Sequence, residues 1–246
     1  MNWQPEMDLA IAAARRAAGH LESQFANDAG VRSSQGKDIK TQADVAAEEI
    51  IKTVLAPSGF PVLAEESAGS EDWGIGLRWL VDPLDGTMNF TRAFPAYAVS
   101  IALWENAKPL LGVVLDLPRQ GIYCGIVGAG ATRNGKAIRV SNVVECGQAI
   151  LATGFPTGRD YGPEALENFV GRVRSFKKIR MIGSATLSLA MVAQGTFDAY
   201  YEEDIMIWDV AAGLALVAAA GGQIGISRGQ LAHSVLASAS NGRLNI

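Results

Sequence analysis

Apolar residues recur at helical spacing over residues 7–27 and again over 42–56, whereas PVLAEE, LRWLVDP, YAVSIALWE and PLLGVVLDLP are strand-like runs bounded by proline, glycine or charge. The first half therefore reads as two helices alternating with several strands. GIYCGIVGAGATRNGKAIRVS predicts a hairpin, because Asn134-Gly135 is a favoured two-residue turn and alternation resumes after it in KAIRVS. The glycines of GAGATRNG precede a turn and another strand, not a helix, which argues against a dinucleotide-binding loop. From about Val140 the pattern changes to strands such as AILATGF and KKIRMIG, separated by the helical stretches EALENFVGRV, SATLSLAMVAQG and WDVAAGLALVAAAGG. The change predicts an N-terminal α+β domain over 1–138 and a C-terminal α/β domain over 139–246. No linker rich in Ser, Pro or charge separates them near 135–145, so the two are expected to share a packed interface and a cleft.

With 49% hydrophobic and 19% charged residues among 246, the chain can bury a substantial core. A net charge of -4 and the lack of a sustained basic stretch argue against nucleic acid as a partner. An anionic ligand would need local help from a metal or a helix end. Cys124 and Cys146 are too few for a disulfide framework or a thiolate metal site, and neither has a histidine close in sequence, so both read as inert. The opening MNWQPEMDLAIAAARRAAGHL mixes acidic with apolar residues and reads as an amphipathic helix, not a secretory signal. No apolar run reaches membrane length, even in DVAAGLALVAAAGG. A cytoplasmic location and no membrane partner are the expectations.

The acidic residues change this picture. Glu65 and Glu66 end the strand PVLAEE, Asp82 and Asp85 end the strand RWLVDP, and Asp209 follows Trp208 where an apolar helix begins. A turn alone would account for part of WLVDPLDGTMNF, since Pro83 fixes φ and Asp85-Gly86 is a common turn pair. Yet ends of regular elements are where side chains from distant parts of a chain converge, and converging carboxylates repel unless protons or cations intervene. His20 and His233 stand apart from these acids, which argues against zinc; oxygen-only ligands suit magnesium, manganese or calcium. A helix starting at Gly86 and Thr87 would turn free backbone N–H groups toward an anion beside the acids, and Gly86 would let the backbone approach it closely. A hydrolase using a bare carboxylate pair, as glycosidases do, is the rival chemistry; a chelator would spare it.

The stretches AEES (64–67), WLVDPLDGTMNF (79–90) and WDVAAGLALVAAAGG (208–222), in that order, resemble the signature segments of the inositol monophosphatase family. Weaker matches lie in KDIKTQADVAAEE (37–49) and GSATLSLAMVAQGTFDAYYE (183–202), so the resemblance covers nearly the whole chain. It implies an α/β fold layered as an αβαβα sandwich, of the type shared with fructose-1,6-bisphosphatase. It also implies two to three Mg²⁺ ions, a homodimer, sensitivity to Li⁺, and hydrolysis of inositol monophosphate or a related sugar or polyol phosphate by metal-activated water.

Carried over residue by residue, the resemblance assigns Glu65, Asp82 and the Leu84 carbonyl to a first ion and Asp82, Asp85 and Asp209 to a second. A third would sit near Glu65, largely through waters. Asp85, Gly86 and Thr87 would meet the phosphate, and the Thr87 hydroxyl, oriented by Asp44, would position the attacking water with Glu65. Asp44 also reads as an N-cap for VAAEEIIKTVL. Glu202 and Ala185 match the substrate pocket, Glu202 as acceptor for ring hydroxyls; the run Glu202, Glu203, Asp204 also reads as solvated surface charge. Those acids weigh against a second phosphate, and so against the alternatives of 3′(2′),5′-bisphosphate nucleotidase or fructose-1,6-bisphosphatase activity. A non-catalytic regulatory member of the fold is the remaining alternative. Met88 stands where many members have threonine, and the sequence stops at SASNGRLNI without the closing helix many members append. Arg180 matches a basic position that fits an interface or the substrate.

Overall fold

The computed structural model describes residues 2–25, 31–35, 38–155 and 161–246. In chain order the first half holds α1 (Gln4–Phe25), β1 (Val31–Gln35), β2 (Asp38–Thr41), α2 (Gln42–Leu55), β3 (Val62–Ala64), β4 (Leu77–Asp85), α3 (Thr87–Thr91), β5 (Ala98–Glu105), β6 (Lys108–Asp116), β7 (Gly121–Ile126), β8 (Gly130–Arg133) and β9 (Lys136–Ile138). The second half holds β10 (Ile150–Thr153), α4 (Pro163–Ser175), β11 (Lys178–Arg180), α5 (Ala185–Ala193), β12 (Ala199–Met206), α6 (Ile207–Ala219), β13 (Gln223–Arg228) and β14 (Ser234–Ser240).

The two long N-terminal helices follow from their spacing. In α2, Ala43, Ala47, Ile51 and Leu55 recur every fourth residue and are all buried. In α1 the inward stripe is mostly alanine, with Met7 and Leu21 toward its ends. Both stripes pack on one face of a seven-stranded sheet ordered β3-β4-β5-β6-β7-β8-β9. Side-chain alternation divides the sheet's two faces: Trp79, Val81, Val99, Ile101 and Leu103 point toward α1 and α2, while Leu80, Ala98, Ala102 and Trp104 point the other way. Because both faces are covered, these strands read in sequence as continuous apolar runs. The expected Asn134-Gly135 turn is present with both residues at positive φ, 49° and 75°, and joins β8 to β9.

The far face of this sheet rests on α5 and α6, which in turn rest on a five-stranded sheet ordered β11-β10-β12-β14-β13. Helix α6 is buried on nearly every side, which explains its unbroken apolar sequence. It lies so close to β6 that a side chain at Gly112 would collide with the Ala212 backbone. Ser100 and Trp104 reach across from β5 to the α6 carbonyls of Trp208 and Ala211. Outside the second sheet a smaller cluster gathers Leu151, Ala199 and Leu244, with Phe176 at the end of α4 packed against it. The layers run helix, sheet, helix, sheet, helix, as the αβαβα expectation required. Among the described residues no helix is long and apolar enough to cross a membrane.

Strands β12 to β14 lie outside the sequence expectation. In β12 the pairing register jumps from Glu202↔Ala237 to Ile205↔Val235, and Asp204 takes a positive φ of 55° at the resulting bulge. A strand interrupted by three acids and a bulge has no clean period of two.

Candidate metal centre

The centre is built on the end of β4. Asp82 and Asp85 are three residues apart, which in a regular strand would put them on opposite faces. The register removes the mismatch: Asp82 pairs with Ser100 and Asp85 with Ala98, so three steps on β4 oppose two on β5. The extra residue lies within Pro83-Leu84, and proline donates no N–H to the ladder there. Asp82 Oδ1 accepts from the Leu84 N–H at 2.9 Å, which fixes the aspartate against the bulge. Asp82 shares the parity of Leu80, so it emerges on the α5/α6 side of the sheet.

Two other elements bring acids to the same place. β3 runs parallel to β4 and ends in a tight turn over Glu65–Ser67, placing Glu65 beside the β4 end. Asp209 lies in the first turn of α6. Carboxylate oxygens of Glu65, Asp82 and Asp209 all lie within 4.8 Å of one another. Burial and the nearby charges of Glu65, Asp85 and Asp209 push the Asp82 carboxyl well above its ordinary range. Burial, with Glu65, Asp85 and Glu202 nearby, does the same to Asp209. Such a cluster is held together by protons or by cations, and an all-oxygen donor set fits Mg²⁺ or another hard divalent ion.

Asp85 lies at the edge of this group. Its Oδ2 accepts from the Ser184 hydroxyl and from the Thr186 N–H at 2.9 Å, tying β4 to the start of α5. Burial raises its carboxyl to about 6, and the hydrogen bonds from Ser184 and Thr186 oppose that rise. Ser184 is itself the N-cap of α5, accepting from Leu187 N–H at 3.1 Å.

Gly86 starts the short helix α3 with φ 87°, and an added side chain would stand 2.7 Å from the Ala96 carbonyl, so conformation and space both require glycine. The N–H groups that open α3 have no acceptors within the helix, as an anion site needs. The Thr87 hydroxyl donates to the Leu84 carbonyl at 3.0 Å. Asp44 is buried in the first turn of α2, two residues past its start at Gln42; the N-cap reading is therefore corrected, because the helix begins at Gln42, as its apolar spacing predicted, and leaves Asp44 inside it.

The acidic run divides three ways. Glu202 is only 6% exposed, and its charge acts on Asp209 and Tyr200, so the solvated-surface reading is corrected for this residue. Glu203 turns outward to the Tyr201 hydroxyl at 2.7 Å and to Arg172. Asp204 holds the turn before β14 by accepting from Gln230 N–H at 2.8 Å. Ala185 is buried as the first residue of α5, next to the groups that bind Asp85. Arg180 is exposed on the sheet-edge strand β11, its guanidinium folded back on the Ile179 carbonyl at 3.0 Å.

Several supports were not read from the sequence. Besides Ser184 and Thr186, the Asn89 amide reaches the carbonyls of Ala96, Ile182 and Gly183, joining α3 to the turn before α5. Glu48 accepts from the Glu66 N–H at 2.8 Å, one residue past Glu65.

The inositol monophosphatase family model matches residues 2–245. A protein named Nus factor SuhB from Pseudomonas aeruginosa is 39% identical over 233 residues, covering 90% of this chain and 85% of its own length. The solved inositol monophosphatase from Anabaena (Nostoc) sp. PCC 7120 superposes with a TM-score of 0.84 at 33% identity, covering 99% of this chain and 93% of that one. Inositol monophosphate-bound SaIMPase-II, of Staphylococcus aureus, superposes with a TM-score of 0.77 at 27% identity, covering 96% and 88%. The shared fold and a family match over nearly every residue lead to one conclusion: the chain belongs to the inositol monophosphatase family.

Proposed function

We propose that the chain is a Mg²⁺-dependent phosphomonoesterase acting on inositol monophosphate or a related sugar or polyol phosphate. The observation that carries the reading is the meeting of Glu65, Asp82 and Asp209 within 4.8 Å, beside a helix that opens at Gly86. Carboxylates alone would repel a phosphate dianion, so the site makes chemical sense with cations between the two. Glu65, Asp82 and the Leu84 carbonyl would hold one ion, and Asp82, Asp85 and Asp209 a second, with a weaker third near Glu65. The chemistry these ions supply when bound is activation of a water and stabilisation of the departing ester oxygen.

The chain's own residues do the rest. Glu65 and Thr87 orient the attacking water, with Asp44 behind Thr87. Gly86 and Thr87 offer backbone N–H groups to the phosphate. Water adds to phosphorus in line with the leaving alkoxide, giving inorganic phosphate and the free alcohol. Glu202 accepts hydrogen bonds from substrate hydroxyls, and Ala185 leaves room for the ring. Li⁺ inhibition, a homodimer and a cytoplasmic location complete the reading.

A second reading has its own support: a relative 39% identical carries the name Nus factor, which favours a non-catalytic regulatory role and leaves nucleic acid among the partners to be tested. A panel of polyol, sugar and nucleoside monophosphates, assayed for phosphate release with and without Mg²⁺, separates the two. Hydrolysis of a polyol phosphate ahead of the nucleotides supports the first reading; no release from any of them, with Mg²⁺ present, supports the second.

A further inference from the structure

Glu65 opens a single 3-10 turn, Glu65–Ser67, just past the last paired residue of β3, Ala64. What holds the turn comes from α2. Glu48 is 2% exposed, and its two oxygens are both engaged: one accepts from the Glu66 N–H at 2.8 Å and the other pairs with Lys52 Nζ at 2.7 Å, one helical turn on. Lys52 Nζ then donates to the Ser67 hydroxyl at 2.6 Å. The middle and the last residue of the Glu65–Ser67 turn are thus gripped by one ion pair on one face of α2. Burying a carboxylate is costly unless it is paired and hydrogen-bonded, and Glu48 meets both conditions only because the turn is where it is. Glu49 offers a contrast: it also approaches Lys52, at 3.4 Å, but its side chain is 70% exposed and it has no bond to the turn.

We infer that Glu48 and Lys52 are positioning residues for the metal centre, a clamp whose task is to hold Glu65 where it meets Asp82 and Asp209. The inference rests on the reading of Glu65 as a metal ligand. Outer partners that orient a ligand typically govern about 10–100-fold of metal affinity. The clamp therefore acts on ion binding itself, ahead of any chemistry.

Calorimetric titration of the purified full chain with MgCl₂, without substrate, tests it. Wild-type protein is measured first: no Mg²⁺ binding there would overturn the ligand reading and the clamp with it. Given binding, Glu48→Gln and Lys52→Met are each expected to weaken it by about tenfold or more. Ser67→Ala should give a smaller loss in the same direction, and Glu49→Gln should give none. The double variant Glu48→Gln/Lys52→Met should lose little more than either single one, because both break the same clamp. Thermal melts of each variant without metal separate affinity from folding. If Glu48→Gln and Lys52→Met lower the melting temperature yet bind Mg²⁺ within twofold of wild type, the pair serves the fold alone and the inference is overturned.

Discussion

At the scale of residues, the centre is a compromise between stability and function. Burial, with the charges of Glu65, Asp85 and Glu202 nearby, holds the Asp209 carboxyl well above the ordinary range. Asp209→Asn keeps the shape and removes one charge from that crowd. Without metal, at a pH above the range in which these carboxyls hold their protons, the variant should melt no lower than wild type, since a like charge has been taken from a buried cluster, while Mg²⁺-dependent turnover falls about a hundredfold or more. Calorimetry and phosphate release on the same preparation check both halves; a variant with unchanged turnover at low Mg²⁺ would reduce Asp209 to a helix-opening acid. Glu202→Gln separates recognition from chemistry. Losing a charged acceptor for substrate hydroxyls should weaken turnover of a polyol phosphate by about 1–3 kcal/mol, and leave an aryl phosphate without such hydroxyls nearly untouched. Equal losses on both substrates would move Glu202 into the metal apparatus.

At the scale of elements, what could be read in the sequence depended on how local its cause was. Helix α2 was expected over 42–56 and found at Gln42–Leu55, because an apolar residue every fourth position is a local signal. Helix α6 was legible because burial on all sides leaves an unbroken apolar run. Strand β14 was not, since in SVLASAS the inward Ala237 and Ala239 differ little in hydropathy from their serine neighbours. The acids that converge were legible because each lies at or within a few residues of the end of an element. Their supports were not: the Ser184–Asp85 bond spans 99 residues, and the β4 bulge is visible only against its partner strand. One element-level test is Gly86→Ala. With φ at 87° and the Ala96 carbonyl 2.7 Å from the new Cβ, the turn from β4 into α3 must distort, at a cost of about 1–3 kcal/mol in a denaturant or thermal melt. A neutral result would mean that the β4–α3 junction yields easily.

At the scale of the whole molecule, the site couples folding, pH and metal. Asp85 rises from an ordinary 3.8 to about 6, chiefly through burial, and burial with the neighbouring carboxylates raises Asp82 and Asp209 in the same direction. The folded protein thus holds protons that the unfolded chain has released, and the stability from these groups is full below about 4 and lost as pH climbs through the folded values. Metal-free protein should lose the Asp85 share of this contribution between about pH 4 and 6. On the proposed reading Mg²⁺ would bind the deprotonated carboxylates, so the rise in melting temperature it produces should be larger at pH 7.5 than at pH 5; an equal rise at both would place the ion elsewhere. Two large sheets, a helical layer between them and one outside each, and one cluster of acids at their meeting point make a single functional claim. Its most direct measurement is the initial rate of phosphate release from inositol 1-phosphate against free Mg²⁺, from excess chelator upward. The account predicts no release in chelator and a saturable rise with Mg²⁺; full activity in chelator, or none at any Mg²⁺ concentration, would contradict it.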